Sequence, residues 1–535
     1  MAEKTPVKLS LLKQSAWLMS AKTIGFALSF ILPLLTVRYL TQDKVGVYRQ
    51  AFQIVTNAVS ILPLGFSMSA YYFLNRQPEK RAYTISNILI FNFIAGGAAC
   101  LTFFFFPQLL GNLFNSDEMT ALAPKIGVVI WLWIFSMFLE IVALANQESK
   151  IATAFIILAQ LTKTLLMASA VIWFSTVEAF LYAAMIQAAL QICVLLYYLN
   201  SRFPRFWTKF DFTFFREQII YALPFGLAAL LYNFQTDIHV YFVGNHFSDA
   251  EFAVYSIGCF QLPLIAMLYE SFSAVMIPQM SEMQAQGKMR EMLLISVAAT
   301  RKLALAYFPL FAFLMIVADT FITTMFTEKF AASVPIFRIN LVLLPFYCLM
   351  IDPIGRAFPS IGRFLLKLRL LLFIVLFAAL WFGIQNFDMR GMISIVVVVV
   401  LFEQMISLIK VLSILKVRRG DLALLAPIGK TALAATIAGA VLFAFYTLSE
   451  NFLAAVCLRF SHNLFALIRF EKAADFFGGS LFLGICFVIF VSVYFVSASW
   501  LGAINSEEKE SIKSFFYNRF PFLGNYFIQS PKSEI

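Results

Sequence analysis

The chain has 535 residues, of which 61% are hydrophobic and 13% are charged, and its mean hydropathy is +0.84. Soluble globular proteins carry about 25% charged residues, so this composition excludes a soluble enzyme, a disordered tail protein and a secreted disulfide scaffold. The formal net charge of +11 is typical, in a membrane protein, of basic cytoplasmic loops, and we expect no nucleic acid partner. Six dispersed cysteines and three histidines support neither a metal site nor a disulfide framework.

Long apolar stretches recur along the whole chain, and each is close to the roughly 20 residues that a spanning helix needs. Fourteen spans are predicted, at residues 15–38, 46–73, 85–106, 126–146, 153–174, 178–199, 218–244, 252–280, 296–318, 333–351, 365–385, 391–415, 426–447 and 476–500. The sequence therefore predicts an all-α polytopic membrane protein with both termini on one side.

The distribution of Lys and Arg predicts which side that is. Of the 40 basic residues, 28 fall in segments that are inner if the N-terminus is inside, and ten fall in outer segments or helix ends. Cytoplasmic loops are enriched in Lys and Arg, so both termini are expected in the cytoplasm. No loop is long enough to form a separate domain, and the largest outer segment, residues 448–475, is expected to lie in the interface as a helix.

An internal repeat relates two turns of the chain. Residues 39–48 (YLTQDKVGVY) and residues 246–255 (HFSDAEFAVY) each follow one predicted span and open the next, at an offset of 207 residues. This offset places the turn between spans 1 and 2 over the turn between spans 7 and 8, as two parallel six-helix halves require. Two such halves are typical of a transporter, because rocking one against the other gives alternating access.

The predicted organisation follows from this repeat. It comprises two six-helix lobes, then two extra spanning helices with the outer interfacial segment, and a cytoplasmic tail, at residues 1–205, 206–420, 421–502 and 503–535. The chain contains no GxxxxGK[ST] sequence, so we expect no ATP hydrolysis by the chain itself.

Several of these segments resemble a known family. The turn YLTQDKVGVY, the following ILPLGFSMSAYYFLNR, and LPFGLAALLYNFQTDIHVYFVG in the second half are similar to bacterial oligosaccharide flippases of the Wzx type. That family lies in the multidrug/oligosaccharidyl-lipid/polysaccharide (MOP) exporter superfamily. Its pattern has an Asp closing span 7, a Tyr opening span 8 and a Pro near the inner end of span 8, here Asp237, Tyr255 and Pro278. The chain departs from it at Ile238 and His239, where a basic residue is expected.

The resemblance implies both a fold and a function. The implied fold is a V-shaped arrangement of two lobes, as in multidrug exporters of this superfamily. The implied function is movement of an undecaprenyl-diphosphate-linked oligosaccharide from the cytoplasmic to the outer leaflet of the bacterial inner membrane, for cell-surface polysaccharide biosynthesis such as that of lipopolysaccharide O-antigen. Its partners would be the lipid-linked oligosaccharide, membrane lipids and the polymerase or other assembly enzymes of the pathway. The protein would not be an enzyme.

Basic residues within or beside the spans are candidates for binding the diphosphate. Lys22 and Lys163 lie inside spans 1 and 5, whereas Arg49 and Arg338 begin spans 2 and 10 near the outer side. Ionisable groups at membrane depth usually face a cavity or a partner, and Arg can bind a phosphate through two hydrogen bonds. The alternative for Arg49 and Arg338 is that they reach the outer headgroups.

Acidic residues within the spans are candidates for ion coupling. They are Glu140, Asp237, Glu270 and Glu403, in spans 4, 7, 8 and 12, and any of them could bind H⁺ or Na⁺. Asp237 and Glu270 are favoured because spans 7 and 8 would line the central cavity by analogy with spans 1 and 2. The alternative is that each acid pairs with a lysine or stabilises a helix contact.

Two other classes of protein stay open at this point. An ion-coupled multidrug or small-molecule antiporter of the same superfamily predicts about twelve spans and a smaller, more acidic cavity. A membrane enzyme, such as a polysaccharide polymerase or a glycosyltransferase that uses lipid-linked substrates, predicts a large outer loop with catalytic residues, which the chain does not offer.

Overall fold

The structure is a computed structural model that describes residues 23–504, apart from Phe26 and residues 467–473. Every regular element in these described residues is helical. The candidate Lys22 and nearly all of the predicted tail, residues 503–535, lie outside them. The all-α fold class predicted from the sequence is confirmed for the described part of the chain.

Nine helices form the first half of the chain. They are α1 (Thr23–Tyr39), α2 (Gln42–Ile61), α3 (Ala70–Arg76), α4 (Arg81–Phe105), α5 (Gln108–Phe114), α6 (Asp117–Ser136), α7 (Phe138–Ala145), α8 (Ser149–Trp173) and α9 (Val177–Arg202). The chain then continues through α10 (Phe212–His246), α11 (Asp249–Gly258), α12 (Pro263–Ala285), α13 (Met289–Phe326), α14 (Val334–Leu341), α15 (Ile351–Ala357), α16 (Pro359–Gly383) and α17 (Met389–Ile414). The last three described helices are α18 (Ala426–Ser449), α19 (Ala455–Ala466) and α20 (Ala474–Trp500).

Eleven helical segments of the described residues are long and apolar enough to cross a membrane. The other three predicted spans correspond to α1, which is described only from Thr23, and to two spans that are broken into shorter helices. Predicted span 252–280 is divided between α11 and α12, and predicted span 333–351 consists of 3₁₀ turns on either side of α14. About fourteen crossings of the membrane are consistent with these elements.

The break between α11 and α12 has a local cause. Pro263, the first residue of α12, has no backbone N–H, and a proline disfavours helical geometry in the residue before it. Leu262 accordingly has extended geometry, with φ −79° and ψ 113°. The second helix therefore starts at the proline instead of continuing from Gly258.

Side-chain caps fix the beginnings of several helices. Ser116 and Thr176 accept hydrogen bonds from the backbone N–H groups of Met119 and Ala179, at the starts of α6 and α9. Ser248 begins α11 with a capping box, in which its hydroxyl and the Glu251 carboxylate bond reciprocally to backbone N–H groups. A side-chain acceptor at this position satisfies N–H groups that lack a partner in the helix, so each loop ends at a defined residue.

The chain packs into two compact units. Unit 1 takes in the described residues up to Gln261, together with Met325–Ile339 and Lys367–Val399. Unit 2 takes in Leu262–Thr324, Asn340–Leu366 and the described residues from Val400 onward. These units follow packing and not chain order, so the predicted lobes 1–205 and 206–420 remain a prediction.

Each unit has its own apolar interior. In unit 1, Phe66 and Phe138 are fully buried in a cluster formed mainly by α3, α4, α7 and α9. In unit 2, α18 packs along α20, and the Tyr446 hydroxyl of α18 forms hydrogen bonds with Thr320 and Glu450. The helix α19, part of the predicted interfacial segment, packs against α20.

The 3₁₀ turn Arg419–Leu425, between α17 and α18, gives a pH-dependent prediction. The backbone N–H of Arg418 and the guanidinium of Arg290 donate to the Asp421 carboxylate, and they lower the pKa of Asp421 below its ordinary value. A depressed folded-state pKa contributes stability that is present above the unfolded-state pKa and is lost as the pH falls through the folded-state value.

We therefore expect Asp421→Asn to lower the unfolding temperature at pH 7, with the difference from wild type disappearing toward pH 3. Thermal unfolding of the purified protein at pH 7, 5 and 3 measures this. A difference that persists unchanged at pH 3 would show that the carboxylate charge is not responsible.

Candidate substrate and ion site

The repeat found in the sequence is also present in the structure. Thr41 and Ser248 are the residues immediately before α2 and α11, so the two helices begin 207 residues apart, at the same offset as the sequence repeat. The two repeat-related helices pack against each other within unit 1. The contact therefore joins equivalent elements of the two sequence halves.

The approach of α2 to α11 is very close at Gly46. A Cβ atom at this position would lie 1.9 Å from the backbone carbonyl oxygen of Asp249, so only glycine fits there. One turn further along α2, the Gln50 side chain donates from Nε2 to Oδ1 of Asp249 at 2.9 Å. Arg49 donates from Nη1 to the carbonyl oxygen of Ser256 at 3.5 Å, the outer limit of a hydrogen bond.

Further side-chain hydrogen bonds connect α2 to α10, also within unit 1. Gln53 donates from Nε2 to Oδ2 of Asp237 at 2.9 Å. Asn57 donates to the hydroxyl of Tyr241 at 2.8 Å, and on α10 Asn233 donates to Ser60 Oγ at 2.7 Å. The α2 members are three or four residues apart and lie on one helix face, as do Asn233, Asp237 and Tyr241 on α10. Two polar stripes therefore face each other inside apolar helices.

Asp237 is an intramembrane acid with an amide partner. Its side chain is half-buried, and among the described residues it forms no salt bridge. The nearby His239, which stands where the flippase pattern expects a basic residue close to Asp237, is buried and hydrogen-bonds through Nδ1 to the hydroxyl of Tyr255 at 2.7 Å. That histidine connects α10 to α11 and does not pair with Asp237.

Lys163 contacts an aromatic pair in unit 1 that extends to the helix carrying Arg49. Lys163 on α8 lies with its Nζ 4.5 Å from the centroid of the Trp133 ring on α6. Trp133 in turn contacts Phe52 on α2, with ring centroids 5.9 Å apart. Phe52 is three residues from Arg49 on the same helix, so it lies on the same face. Neither Lys163 nor Arg49 has a carboxylate as a salt-bridge partner in the described part of the chain.

The remaining candidates are distributed over both units. Arg338 is half-buried on α14 and Glu140 is half-buried on α7, both in unit 1. Glu270 is exposed on α12 and Glu403 is half-buried on α17, and both belong to unit 2. Of the four acids, Asp237 directly contacts the helix that carries Arg49, through the hydrogen bond from Gln53.

Sequence reasoning missed the uncharged members of the site. Gln50, Gln53 and Asn57 recur at helical spacing within a predicted span, and this signal was available in the sequence. Amide side chains stand out less than charges do in an apolar segment, because they cost less to bury. Among the described residues, no group of His, Cys, Asp and Glu has the arrangement of a metal site.

Comparisons with known proteins agree with this fold. A family profile described as "Polysaccharide biosynthesis protein" matches residues 71–335, about half of the chain. No curated protein sequence matches the chain. Thirteen chains of solved structures do match.

Three of the matching structures are membrane transporters or flippases. The lipid II flippase MurJ, in an inward-closed conformation, has 14% identity and a TM-score of 0.65 over 91% of this chain and 98% of its own. A MOP superfamily transporter from Pyrococcus furiosus has 14% identity and a TM-score of 0.55, over 76% and 96%. A multidrug resistance transporter of the MATE family has 15% identity and a TM-score of 0.53, also over 76% and 96%.

These similarities define the class of the protein. Its fold is that of MurJ and the MATE transporters, which is the fold expected from the sequence. Together with the polysaccharide biosynthesis profile, this fold confirms the resemblance to the polysaccharide flippases of the MOP superfamily. The profile is that of a polysaccharide biosynthesis family, and the fold is one that known multi-pass membrane transporters and flippases have.

Proposed function

We propose that the protein flips an undecaprenyl-diphosphate-linked oligosaccharide from the cytoplasmic to the outer leaflet of the bacterial inner membrane by alternating access, for surface polysaccharide biosynthesis. The polysaccharide biosynthesis profile and the fold shared with a lipid II flippase support this class of substrate. The excess of Lys and Arg in the predicted inner segments supports an orientation with both termini in the cytoplasm. The assembly enzymes of the pathway are the proposed protein partners.

The observation that carries the proposal is the set of partners of Arg49 and Lys163, two candidate cations that lie in or beside predicted spans. Inserting a charged residue at the centre of a bilayer costs about 2.5–3.5 kcal/mol, and such residues are normally paired. Arg49 forms one long hydrogen bond to a backbone carbonyl, and the Lys163 ammonium lies over the face of the Trp133 ring. Neither interaction neutralises the charge, so both groups are available to an anionic ligand such as a diphosphate.

The two cations suit different parts of that ligand. The planar guanidinium of Arg49 can donate two parallel hydrogen bonds to one phosphate, whereas the ammonium of Lys163 acts as a point charge. The contact between the rings of Trp133 and Phe52 joins the ring beside Lys163 to the helix that carries Arg49. Lys22 and Arg338 are proposed as further contacts on the path of the headgroup.

We propose that Asp237 couples flipping to an H⁺ or Na⁺ gradient. It is an acid at membrane depth, and it accepts a hydrogen bond from Gln53, on the helix that also carries Arg49. Ion binding at Asp237 can therefore alter the packing of α2 against α10. Glu270, Glu140 and Glu403 are the other candidates for the same role.

Flipping is tested in liposomes that contain a fluorescent undecaprenyl-diphosphate oligosaccharide. The measurement is the rate at which an impermeant lectin or sugar-oxidising reagent gains access to the sugar. We expect Arg49→Gln and Lys163→Gln each to lower this rate at least tenfold, because a hydrogen bond to a charged group contributes about 1.5–3 kcal/mol.

The control is Lys125→Gln, which removes the cation from the salt bridge between half-buried Lys125 and exposed Glu178, and it should leave the rate unchanged. If all three variants flip at the wild-type rate, the function stands and the proposed headgroup site is wrong. If wild-type protein exposes none of several oligosaccharides under any ion gradient, the flippase proposal fails and the antiporter becomes the better explanation.

A further inference from the structure

Unit 1 contains an apolar cavity that is separate from the site described above. Its volume is about 410 Å³, within the range of about 300–1,000 Å³ in which proteins hold small ligands. It lies between α4, α6, α9 and the linker after α9, and it opens to the outside of the helix bundle. The residues lining it are almost all apolar and include Ser86, Leu89, Phe93, Phe135, Leu196 and Trp207.

The position of the cavity along the helices corresponds to the cytoplasmic leaflet. Ser86 is five residues after the start of α4, and Leu196 is six residues before the end of α9. Both of these helix ends are on the side that the Lys and Arg distribution predicts to be cytoplasmic. At 1.5 Å per residue, the cavity begins about 8 Å below the helix ends, where lipid acyl chains replace headgroups.

The linker after α9 forms the rim of this cavity. Arg205 has φ 59°, a left-handed conformation that is uncommon for a residue other than glycine, and it begins the 3₁₀ turn Phe206–Thr208. The turn buries Phe206, which is 6% exposed, and leaves Trp207 61% exposed against the cavity. Amphipathic aromatic rings of this kind are enriched where headgroups meet acyl chains.

The rim is positively charged. Lys209 lies with its Nζ 5.7 Å from the ring centroid of Tyr83, which is one turn before Ser86 on α4. Arg205 is in the same turn of the linker, and Lys80 lies at the base of α4 with its Nζ over the ring of Phe214.

Two acids of this region already have partners within the protein. The Glu148 carboxylate pairs with Arg202 at 2.8 Å, and the Asp211 carboxylate accepts the backbone N–H groups of Thr213 and Phe214 at the start of α10. Among the described residues, neither of them forms a salt bridge with Lys209 or Arg205. The cavity thus has an apolar lining, and basic residues flank the linker residues Phe206 and Trp207 that line it.

We propose that this cavity binds an acyl chain of an anionic glycerophospholipid of the cytoplasmic leaflet, with the headgroup phosphate at Arg205 and Lys209. Basic clusters next to apolar clefts on the cytoplasmic side favour anionic lipids through this combination of charge and burial. The bound acyl chain contacts the beginning of α4, the end of α9 and the linker between the sequence halves. It does not depend on the proposed flipping activity, since the lipid is not the transported substrate.

Trp207 provides a direct probe of the occupant. We expect phosphatidylglycerol with brominated acyl chains to quench the tryptophan fluorescence of the full-length protein in vesicles more strongly than brominated phosphatidylcholine. The difference should disappear in Trp207→Phe, which removes the reporter next to the cavity and leaves the other six tryptophans. Filling the cavity with Leu89→Phe should also reduce it, and the circular dichroism of that variant verifies its fold.

The charged rim is tested with the double variant Arg205→Gln/Lys209→Gln. It should lower the preference for phosphatidylglycerol about fivefold for each charge removed, which corresponds to about 1 kcal/mol per basic residue. The matched control Lys302→Gln/Lys416→Gln removes two predicted cytoplasmic charges that do not border the cavity, and it should keep the preference.

Two results would overturn the proposal. Equal quenching of wild type by the two brominated lipids would mean that the cavity selects no headgroup. Displacement of brominated phosphatidylglycerol by undecaprenyl phosphate far more readily than by unlabelled phosphatidylglycerol would assign the cavity to the prenyl lipid substrate. Neither measurement involves flipping, so the proposed function stands or fails separately.

Discussion

Asp237→Asn is expected to abolish the dependence of flipping on an ion gradient while preserving the packing of α2 against α10. The asparagine oxygen can still accept the hydrogen bond that Gln53 donates to Asp237 at 2.9 Å. The variant has lost only the ability to bind a proton or a cation. Moving one elementary charge across 100 mV is worth about 2.3 kcal/mol, so coupling to one ion supports an asymmetry of about 50-fold between leaflets.

The measurement is the leaflet distribution of the fluorescent lipid-linked oligosaccharide at steady state, with an imposed H⁺ or Na⁺ gradient. We expect wild type to become asymmetric with one of these gradients, and Asp237→Asn to remain near equal occupancy with either. Glu178→Gln, at the exposed start of α9, serves as the control acid. Flipping by Asp237→Asn that still depends on the gradient would mean that Asp237 is not the coupling acid. The coupling acid would then be the residue whose variant loses this dependence, among Glu270→Gln, Glu140→Gln and Glu403→Gln.

Gly46→Ala is expected to destabilise the protein strongly although it adds only one methyl group. The new Cβ would lie 1.9 Å from the carbonyl oxygen of Asp249, a backbone atom that cannot rotate away. Overpacking at a tight contact costs about 1–3 kcal/mol, and a clash with backbone belongs at the upper end of this range. The helices α2 and α11 must therefore separate, and the Gln50–Asp249 hydrogen bond is lost with the contact.

Thermal unfolding of the purified variant measures this effect, with Gly484→Ala on α20 as the matched control. Apart from its chain neighbours and the nearby backbone of its own helix, no atom lies within 4 Å of a Cβ at Gly484, so alanine there should be neutral or stabilising by about 0.5–1 kcal/mol through its higher helix propensity. Equal unfolding temperatures for the two variants would show that α2 and α11 do not approach as closely as the structure indicates. The flipping rate of Gly46→Ala then reports whether that approach is needed for transport.

The long spans could be predicted from the sequence because burial in lipid requires about 20 apolar residues in succession. The broken spans could not, because a hydropathy window averages over the four residues between Gly258 and Pro263. The proline itself was visible, but many membrane helices contain one, as α10 does at Pro224 and α13 at Pro309. Whether a proline breaks a helix depends on the packing around it.

The candidate site was predictable only in part. The charges Arg49, Lys163 and Asp237 stand out in apolar segments, and the structure places all three in unit 1. The interaction of Lys163 with Trp133 was not predictable, since it depends on how α6 packs beside α8. The partner of Asp237 is an amide and not a cation, which the pattern of charged residues could not indicate.

The contact between Arg49 and Ser256 joins two equivalent positions of the repeat, because the two residues are 207 apart. In a symmetric homodimer of identical half-length chains, a residue on the two-fold axis meets its own copy. An arginine at this position would then face a second arginine, and the two charges would repel each other. Covalent fusion of the halves removes this restriction, since the second copy can supply a neutral carbonyl. The protein thus has one arginine at a contact where an assembly of two identical half-length subunits would bring two together.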